Sequence, residues 1–426
     1  MQLKFGKLLT PEAEANLQAA FTERSTSLDA QLPHQPKKVL FCKRCVVSNQ
    51  RPRITFDEEG VCSACRFAEY KQNGVDWAAR EQQLLKLLEK YRSRNGSYDV
   101  IVPSSGGKDS AYVAHQLKEK YGMNLLTVKF APLIYTDIGF QNFYTVIQSG
   151  FDNLVCWPNG IIHRKLARMS LDLLGDAWHP FGYGQLNYAF QVATKFNIPL
   201  VFFGENGEAE YGGASGSNDR PSHDWKEWDK VYLKGMMVDQ MGKHGQELGI
   251  FSEREVRELP PFYQLPPIEE LKAKDTQFHW LGYYHKWIPQ QNFYYAHQHT
   301  GFETNPAGRS EGTYSKYASL DDRTDGFHFY LAFIKFGIGR ATSDAAHEVR
   351  DGHITRTEAV SLVKRYDGEF PQLYYKDFLE YLDITDEHFQ SVCDLYRAPQ
   401  LWDKTQDGWR LKHACWQEEH LVGKDR

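Results

Sequence analysis

Tyr98-Asp-Val-Ile-Val-Pro-Ser-Ser-Gly-Gly-Lys-Asp-Ser110 is the stretch that sets the fold of this chain. Val100-Ile-Val102 reads as a short buried strand, and the residues from about Asp109 to Tyr121 as a helix that Gly122 ends. Between them, Gly106 and Gly107 let the backbone turn tightly and bring bare N–H groups against an anion. The start of the helix adds its partial positive charge. Ser105 and Ser110 offer hydroxyls and Lys108 a cation, while Asp109 suits a helix cap or a hold on Mg²⁺. The spacing is not G-x-x-x-x-G-K-[ST], so this is no Walker A loop.

Outward from this turn the sequence alternates strand and helix. Leu125–Phe130, Leu154-Val-Cys156 and Leu200-Val-Phe-Phe203 read as further strands, with helices near 140–149 and 186–196 between them. A helix is expected over 76–91, with Leu84, Leu85, Leu88 and Tyr91 on one face. Strands alternating with helices imply α/β architecture, a doubly wound parallel sheet covered on both faces. Ligands then sit beyond the carboxyl ends of the strands.

Val201-Phe-Phe-Gly-Glu-Asn-Gly-Glu-Ala-Glu-Tyr-Gly-Gly213 leaves such a strand end. Glu205 stands directly on it and is the acid best placed for catalysis; Glu210 is a candidate substrate ligand, and Glu208 reads as a solvated loop charge. Glu311–Asp322 and Gly337–Asp344 are dense in glycine, hydroxyls and charge, and Arg340 offers a planar fork for phosphate. Four histidines between 279 and 299 lack a ligand spacing with a carboxylate and are assigned no metal.

Cys42-Lys-Arg-Cys45 and Cys62-Ser-Ala-Cys65 are paired C-x-x-C knuckles. Their spacing fits a closed Cys₄ site, which has no open coordination position and is therefore structural. Zinc is the first reading; an iron–sulfur cluster accepts the same four thiolates.

Charged residues make up 25% of the 426 and hydrophobic ones 41%, ordinary values for a globular chain. A formal net charge of −5 argues against a broad nucleic-acid or anionic-membrane surface. No apolar run approaches the ~20 residues of a membrane span. The start lacks the apolar core of a secretory signal. A cytoplasmic location is expected.

Ser105–Ser110 matches S-G-G-x-D-S residue for residue, and so resembles the PP-loop of the N-type ATP pyrophosphatases. With the knuckles, G-E-N…E-Y-G-G, G-T-Y-S-K-Y-A-S-L-D-D and F-G-I-G-R-A-T-S-D-A, the chain is similar to the N-acetyl sugar amidotransferases, the WbpG-like and PseA-like group. The resemblance implies an adenine nucleotide alpha hydrolase-like fold carrying a small N-terminal zinc-knuckle module and a helical C-terminal region. It implies ATP bound by Ser105, Gly106, Gly107, Lys108, Asp109 and Ser110, with Mg²⁺, and structural Zn²⁺ on Cys42, Cys45, Cys62 and Cys65. Lys108, Asp109 and Glu205 are the expected catalytic residues; Glu210, Tyr314, Asp322 and Arg340 are the expected substrate ligands. The implied reaction turns an acetamido group of a nucleotide-linked N-acetyl sugar into an acetamidino group, for bacterial surface polysaccharide such as the O-antigen of lipopolysaccharide. It adenylylates the amide oxygen and displaces AMP with ammonia. Separate glutaminase and cyclase-like subunits supply that ammonia, and no nucleic acid takes part.

The expected division is an N-terminal extension (1–36), a Cys₄ module (37–75), the PP-loop domain (76–213), a polar insertion or lid (214–270), a substrate-binding region (271–345) and a helical C-terminal region (346–426). Competing readings are a tRNA-thiolating PP-loop enzyme, an asparagine-synthetase-like amidation of a free carboxylate, and a non-catalytic zinc-bearing nucleotide-binding scaffold.

Overall fold

A computed structural model describes residues 5–22, 28–213, 219–223, 225, 233–259, 261–417 and 420. Its centre is a parallel sheet of five strands: β1 (Val100–Pro103), β2 (Leu125–Phe130), β3 (Asp152–Cys156), β4 (Leu200–Phe203) and β5 (Gln277–Trp280). They lie in the order β3-β2-β1-β4-β5, with Val100 opposite both Leu125 and Leu200, and Leu200 opposite Gln277. The chain steps outward from β1 to β3, then returns to the other side of β1 to place β4. The gap between β1 and β4 is thus the topological switch point, where an open α/β sheet takes its ligand.

The period-two alternation of the strands separates two cores. Ile101, Leu126, Val128 and Val201 pack with Leu166, Leu173, Phe181 and Phe190 of the helices Gly160–Leu174 and His179–Phe196. Val100, Val102, Leu200 and Phe202 pack the other way, on Leu84 and Leu88 of the helix Trp77–Tyr91, and with Val113 and Phe293. Each such buried side chain contributes about 1.5–3 kcal/mol of apolar transfer. Asp76 caps Trp77–Tyr91 by accepting from Ala79 N at 2.9 Å. A capping box of Thr355 and Glu358 starts the helix Arg356–Tyr366.

Two expectations about the organisation change. The sheet extends past residue 213, because β5 comes from the aromatic stretch near Phe278, where Phe278 and Trp280 fill the first core. The described residues of 214–270 are not a polar lid: Leu233, Met236, Val238, Met241, Ile250 and Phe251 are buried in that same core. Those apolar positions are scattered among charges, which hides them from a reading of average polarity. Residues 214–218, 224, 226–232 and 260 lie outside the described residues. The C-terminal region is helical as expected to Tyr396, and a small antiparallel hairpin follows, β6 (Trp402–Thr405) and β7 (Gly408–Leu411). Among the described residues no helix is long and apolar enough to cross a membrane.

Candidate active site

The loop after β1 has the geometry that its glycines require. Gly106 sits at φ +86°, and a Cβ there would come within 2.4 Å of Phe143 Cα. Ser105 Oγ accepts from Gly107 N at 3.1 Å, and Ser110 Oγ donates to Gly107 O at 3.1 Å. The helix Lys108–His115 starts from Gly107. Lys108 pairs with Asp109, whose Oδ1 accepts from Asn292 Nδ2 at 3.0 Å. Asn292 belongs to the helix Pro289–Thr300, so a distant segment holds the aspartate.

Beside this loop lies a cavity of about 330 Å³ at the carboxyl ends of β1, β2, β4 and β5. Ser105, Asp109, Ser110, Lys129 and Glu205 line its polar side, and Phe181 and Tyr188 its apolar side. One end thus suits phosphates and the other a flat ring. Glu205 follows β4 as expected. Burial, and then the negative charge of Asp109, push its carboxyl up to about 7. Two carboxylates facing each other with mutual repulsion are a donor set that a divalent cation relieves. Asp109 and Glu205 therefore fit Mg²⁺.

Lys129 is a site residue that the sequence reading missed. It occupies the penultimate position of β2, which reads only as strand. Its Nζ donates to Ser105 O, between the rings of Tyr135 and Phe143 at 4.7 and 4.5 Å. Burial draws its amine down to about 8. Tyr211 and Tyr317 were missed as well. Tyr211 is raised far above the usual phenol value by burial, then by Glu205 and Asp109, and is also in the field of Arg340. Lys108 Nζ lies 5.2 Å from the ring centroid of Tyr317.

The four expected substrate ligands separate. Arg340 pairs with Asp344 at 3.2 Å, covers the ring of Phe329 at 4.6 Å, and its charge acts on Tyr211. Asp322 does not present a free carboxylate, since it accepts from Leu133 N, Thr324 N and Thr324 Oγ1 at 2.8, 2.8 and 2.9 Å. Its neighbour Asp321 lies in the field of Lys129 instead. Tyr314 sits beside Glu348 and Asp344, its ring 6.3 Å from that of Tyr366. Glu210 is buried against Lys71, and Lys71 and His347 outweigh the burial to bring its carboxyl down to about 2. Glu208, read as solvated, is buried and accepts from Arg53 Nε and Nη2 at 2.9 and 2.7 Å. Asn206 caps the short helix Gly207–Tyr211 and turns these acids toward the cysteine module.

In that module Cys42, Cys45, Cys62 and Cys65 are all buried, with their sulfurs within 4.8 Å of one another. Cys42 and Cys65 Sγ are 3.8 Å apart, Cys45 and Cys62 Sγ 3.7 Å. A tetrahedral ion with Zn–S bonds of ~2.3 Å puts its sulfurs about 3.8 Å apart. A cluster with bridging sulfides needs a wider cage, so the four thiols fit a single ion of the zinc type. Arg44 N and Cys62 N point at Cys42 Sγ at 3.4 and 3.3 Å, and Arg350 Nη1 lies 3.9 Å from Cys45 Sγ, all compensating thiolate charge. The module docks on the helices Arg340–Asp351 and Arg356–Tyr366 through Ala345, Ala346, Ala359 and Val363.

Residues 311–415 match the family model described as "LPS biosynthesis protein WbpG-like, C-terminal domain". No curated protein matches the sequence. Among solved structures, an NH3-dependent NAD synthetase from Campylobacter jejuni is similar over 47% of this chain and 94% of its own, at 17% identity and a TM-score of 0.26. The chain joins a five-stranded parallel α/β sheet and a buried Cys₄ module to a region, residues 311–415, that matches the WbpG-like C-terminal domain model.

Proposed function

We propose that this chain is an ATP-dependent, AMP-forming amidotransferase that converts the acetamido group of an N-acetyl sugar to an acetamidino group. The observation that carries the reading is that the 105–110 loop follows β1 and Glu205 follows β4, so that they line one cavity from the two sides of the switch point, with the charge of Arg340 acting on Tyr211 beside Glu205 and Asp109.

The loop N–H groups and Lys108 hold the triphosphate. Asp109 and Glu205 would hold Mg²⁺, which supplies charge neutralisation on the phosphates. The amide oxygen attacks the α-phosphorus, the bond to the bridging oxygen breaks, and pyrophosphate leaves with that electron pair. The amide N–H proton passes to a base, leaving an O-adenylyl imidate. Ammonia then adds to the imidate carbon, AMP leaves with the C–O electron pair, and the acetamidine keeps the proton. Most ammonia is ammonium at neutral pH, so supply from separate glutaminase and cyclase-like subunits suits the chemistry. Work in bacterial surface polysaccharide synthesis in the cytoplasm belongs to the same reading.

A tRNA-thiolating activity finds no nucleophile here. Cys156 is buried at the end of β3, and burial pushes its thiol up to about 12. The test incubates the zinc-loaded chain with ATP, Mg²⁺, ¹⁵N-ammonium and a panel of UDP- and CMP-linked acetamido sugars. AMP, pyrophosphate and a product with oxygen replaced by ¹⁵NH are expected. ADP as the spent nucleotide, or AMP formed only with tRNA, overturns the reading.

A further inference from the structure

A second cavity, of about 210 Å³, lies beside Arg51, whose guanidinium is near the ring of Tyr211. It is lined by Arg51 and Arg53 of the cysteine module, by Lys234, and by His328, Phe329 and Ser343 of the C-terminal half. Its cations are fixed by buried acids. Asp176 binds both Lys234 Nζ and His328 Nδ1, the latter at 3.0 Å. Lys335, also in the wall, is held by Asp29 at 3.1 Å, and Arg53 by Glu208.

Arg51 differs. Its Nε donates to Gly212 O at 2.8 Å and its guanidinium lies over the Tyr211 ring at 5.6 Å, but it meets no carboxylate among the described residues. Burial, and the nearby charges of Arg350 and Arg53 against that of Glu208, lower it to about 10. A buried guanidinium without an acid of its own is poised for an incoming anion. His328 adds to this, because Nδ1 is engaged by Asp176 while Nε2 has no hydrogen-bond partner among the described residues.

We propose that this cavity is the anion subsite of the sugar substrate, taking the phosphate or diphosphate that links the sugar to its nucleoside. This rests on the reading of the chain as a sugar amidotransferase. Tyr211 links the two regions: Arg51 lies over its ring, while the charges of Glu205, Asp109 and Arg340 act on its hydroxyl. A phosphate on Arg51 and Lys234 leaves the sugar to reach past Tyr211 and Arg340 toward the PP-loop. Phe329, already stacked under Arg340, gives the cavity a flat wall for a ring. The cysteine module then contributes to substrate binding through Arg51, beyond its structural part.

Calorimetric titration of the zinc-loaded full chain, with AMP filling the PP-loop, tests this with UDP, CMP and inorganic pyrophosphate as separate probes. UDP or CMP is expected to bind, and Arg51→Gln and Lys234→Gln are each expected to weaken it at least tenfold while ATP affinity in the absence of AMP stays within twofold. Two variants from different segments guard against one that fails to fold. Equal affinity in wild type and both variants overturns the subsite. Competition of the nucleotide with AMP also overturns it, as does Arg51-dependent binding of pyrophosphate alone, which marks a product exit. If no acetamido sugar yields AMP yet nucleotide binding still needs Arg51, the proposed function fails and the subsite stands. If a nucleotide-linked sugar is turned over with a KM that Arg51→Gln leaves unchanged, the subsite fails and the function stands.

Discussion

Lys71 Nζ lies 2.6 Å from Oε2 and 2.8 Å from Oε1 of Glu210, and both side chains are buried. Lys71 rides on the helix Ser63–Asn73, which begins at the second knuckle, and Glu210 on the short helix after β4. The pair is the joint that fixes the cysteine module to the sheet.

Breaking that joint from one side leaves an uncompensated buried charge. Lys71→Ala is expected to lose roughly 3–5 kcal/mol of unfolding free energy, read from denaturant midpoints at pH 7. Lys71→Met combined with Glu210→Gln is expected to lose far less, because no charge is stranded. Glu210 has its carboxyl depressed to about 2 from an ordinary 4.5, so the pair stabilises the fold above pH 4.5 and fades as pH falls toward 2. A single Lys71 variant within about 1 kcal/mol of wild type contradicts this account.

Gly106 and Gly107 are adjacent, yet they should not respond alike. At Gly106 the φ of +86° strains any L side chain, and the new Cβ would meet the Phe143 backbone at 2.4 and 2.7 Å. Gly107 is in extended backbone at φ −77°, and a Cβ there meets only Ser105 Oγ at 3.0 Å. Gly106→Ala is expected to cost about 1–3 kcal/mol in strain and to lower AMP formation by on the order of a hundredfold. Gly107→Ala is expected to do a small part of that. Equal losses in the two variants mean that the left-handed turn is not what shapes the loop.

The contrast also shows what a sequence discloses. The turn at 105–110, four of the five strands and the Cys₄ knuckles were legible, because local chemistry forces them: only glycine tolerates that φ, and only paired thiols at that spacing meet one ion. β5 escaped because Phe278 and Trp280 sit in a stretch whose aromatics also suit helices and interfaces. Lys129 escaped because it reads as a polar residue in a strand, and its role depends on Ser105, which is 24 residues away. Asp322 and Asp321 could not be told apart, since one carboxylate bonds backbone N–H groups and the other faces Lys129 only once the chain is folded. Arg51 and Arg53 belong to no motif, and only the module's docking brings them to Tyr211 and Glu208.

That docking makes metal content a handle on the second cavity. The purified chain is expected to hold about one zinc, and Cys62→Ser to lose it, with a fall of several degrees in the melting temperature. ATP binding should survive, since the PP-loop is built on β1 and the helix Pro289–Thr300. Binding of UDP or CMP should be lost, because Arg51 and Arg53 lie on the loop between the knuckles. Elemental analysis and calorimetry on the same preparation check both halves. A metal-free chain of unchanged melting temperature removes the structural reading of the four thiols.

Glu205 links stability to chemistry through one proton. Its folded-state value is about 7 against an ordinary 4.5, so between those pH values the folded chain holds a proton that the unfolded chain releases. Stability therefore falls as pH rises through that window, and the full penalty remains above pH 7. Glu205→Gln cannot ionise and escapes the penalty. It is expected to be more stable than wild type by on the order of 1–3 kcal/mol at pH 8, and nearly equal to it at pH 4. The same variant should lose AMP formation by about a hundredfold or more, and wild-type rates should rise with pH along an acid limb set by this carboxyl. Bound Mg²⁺ moves that limb to lower pH by favouring the ionised form. If the stability difference between the two forms is the same at pH 4 and pH 8, then Asp109 and burial do not raise Glu205.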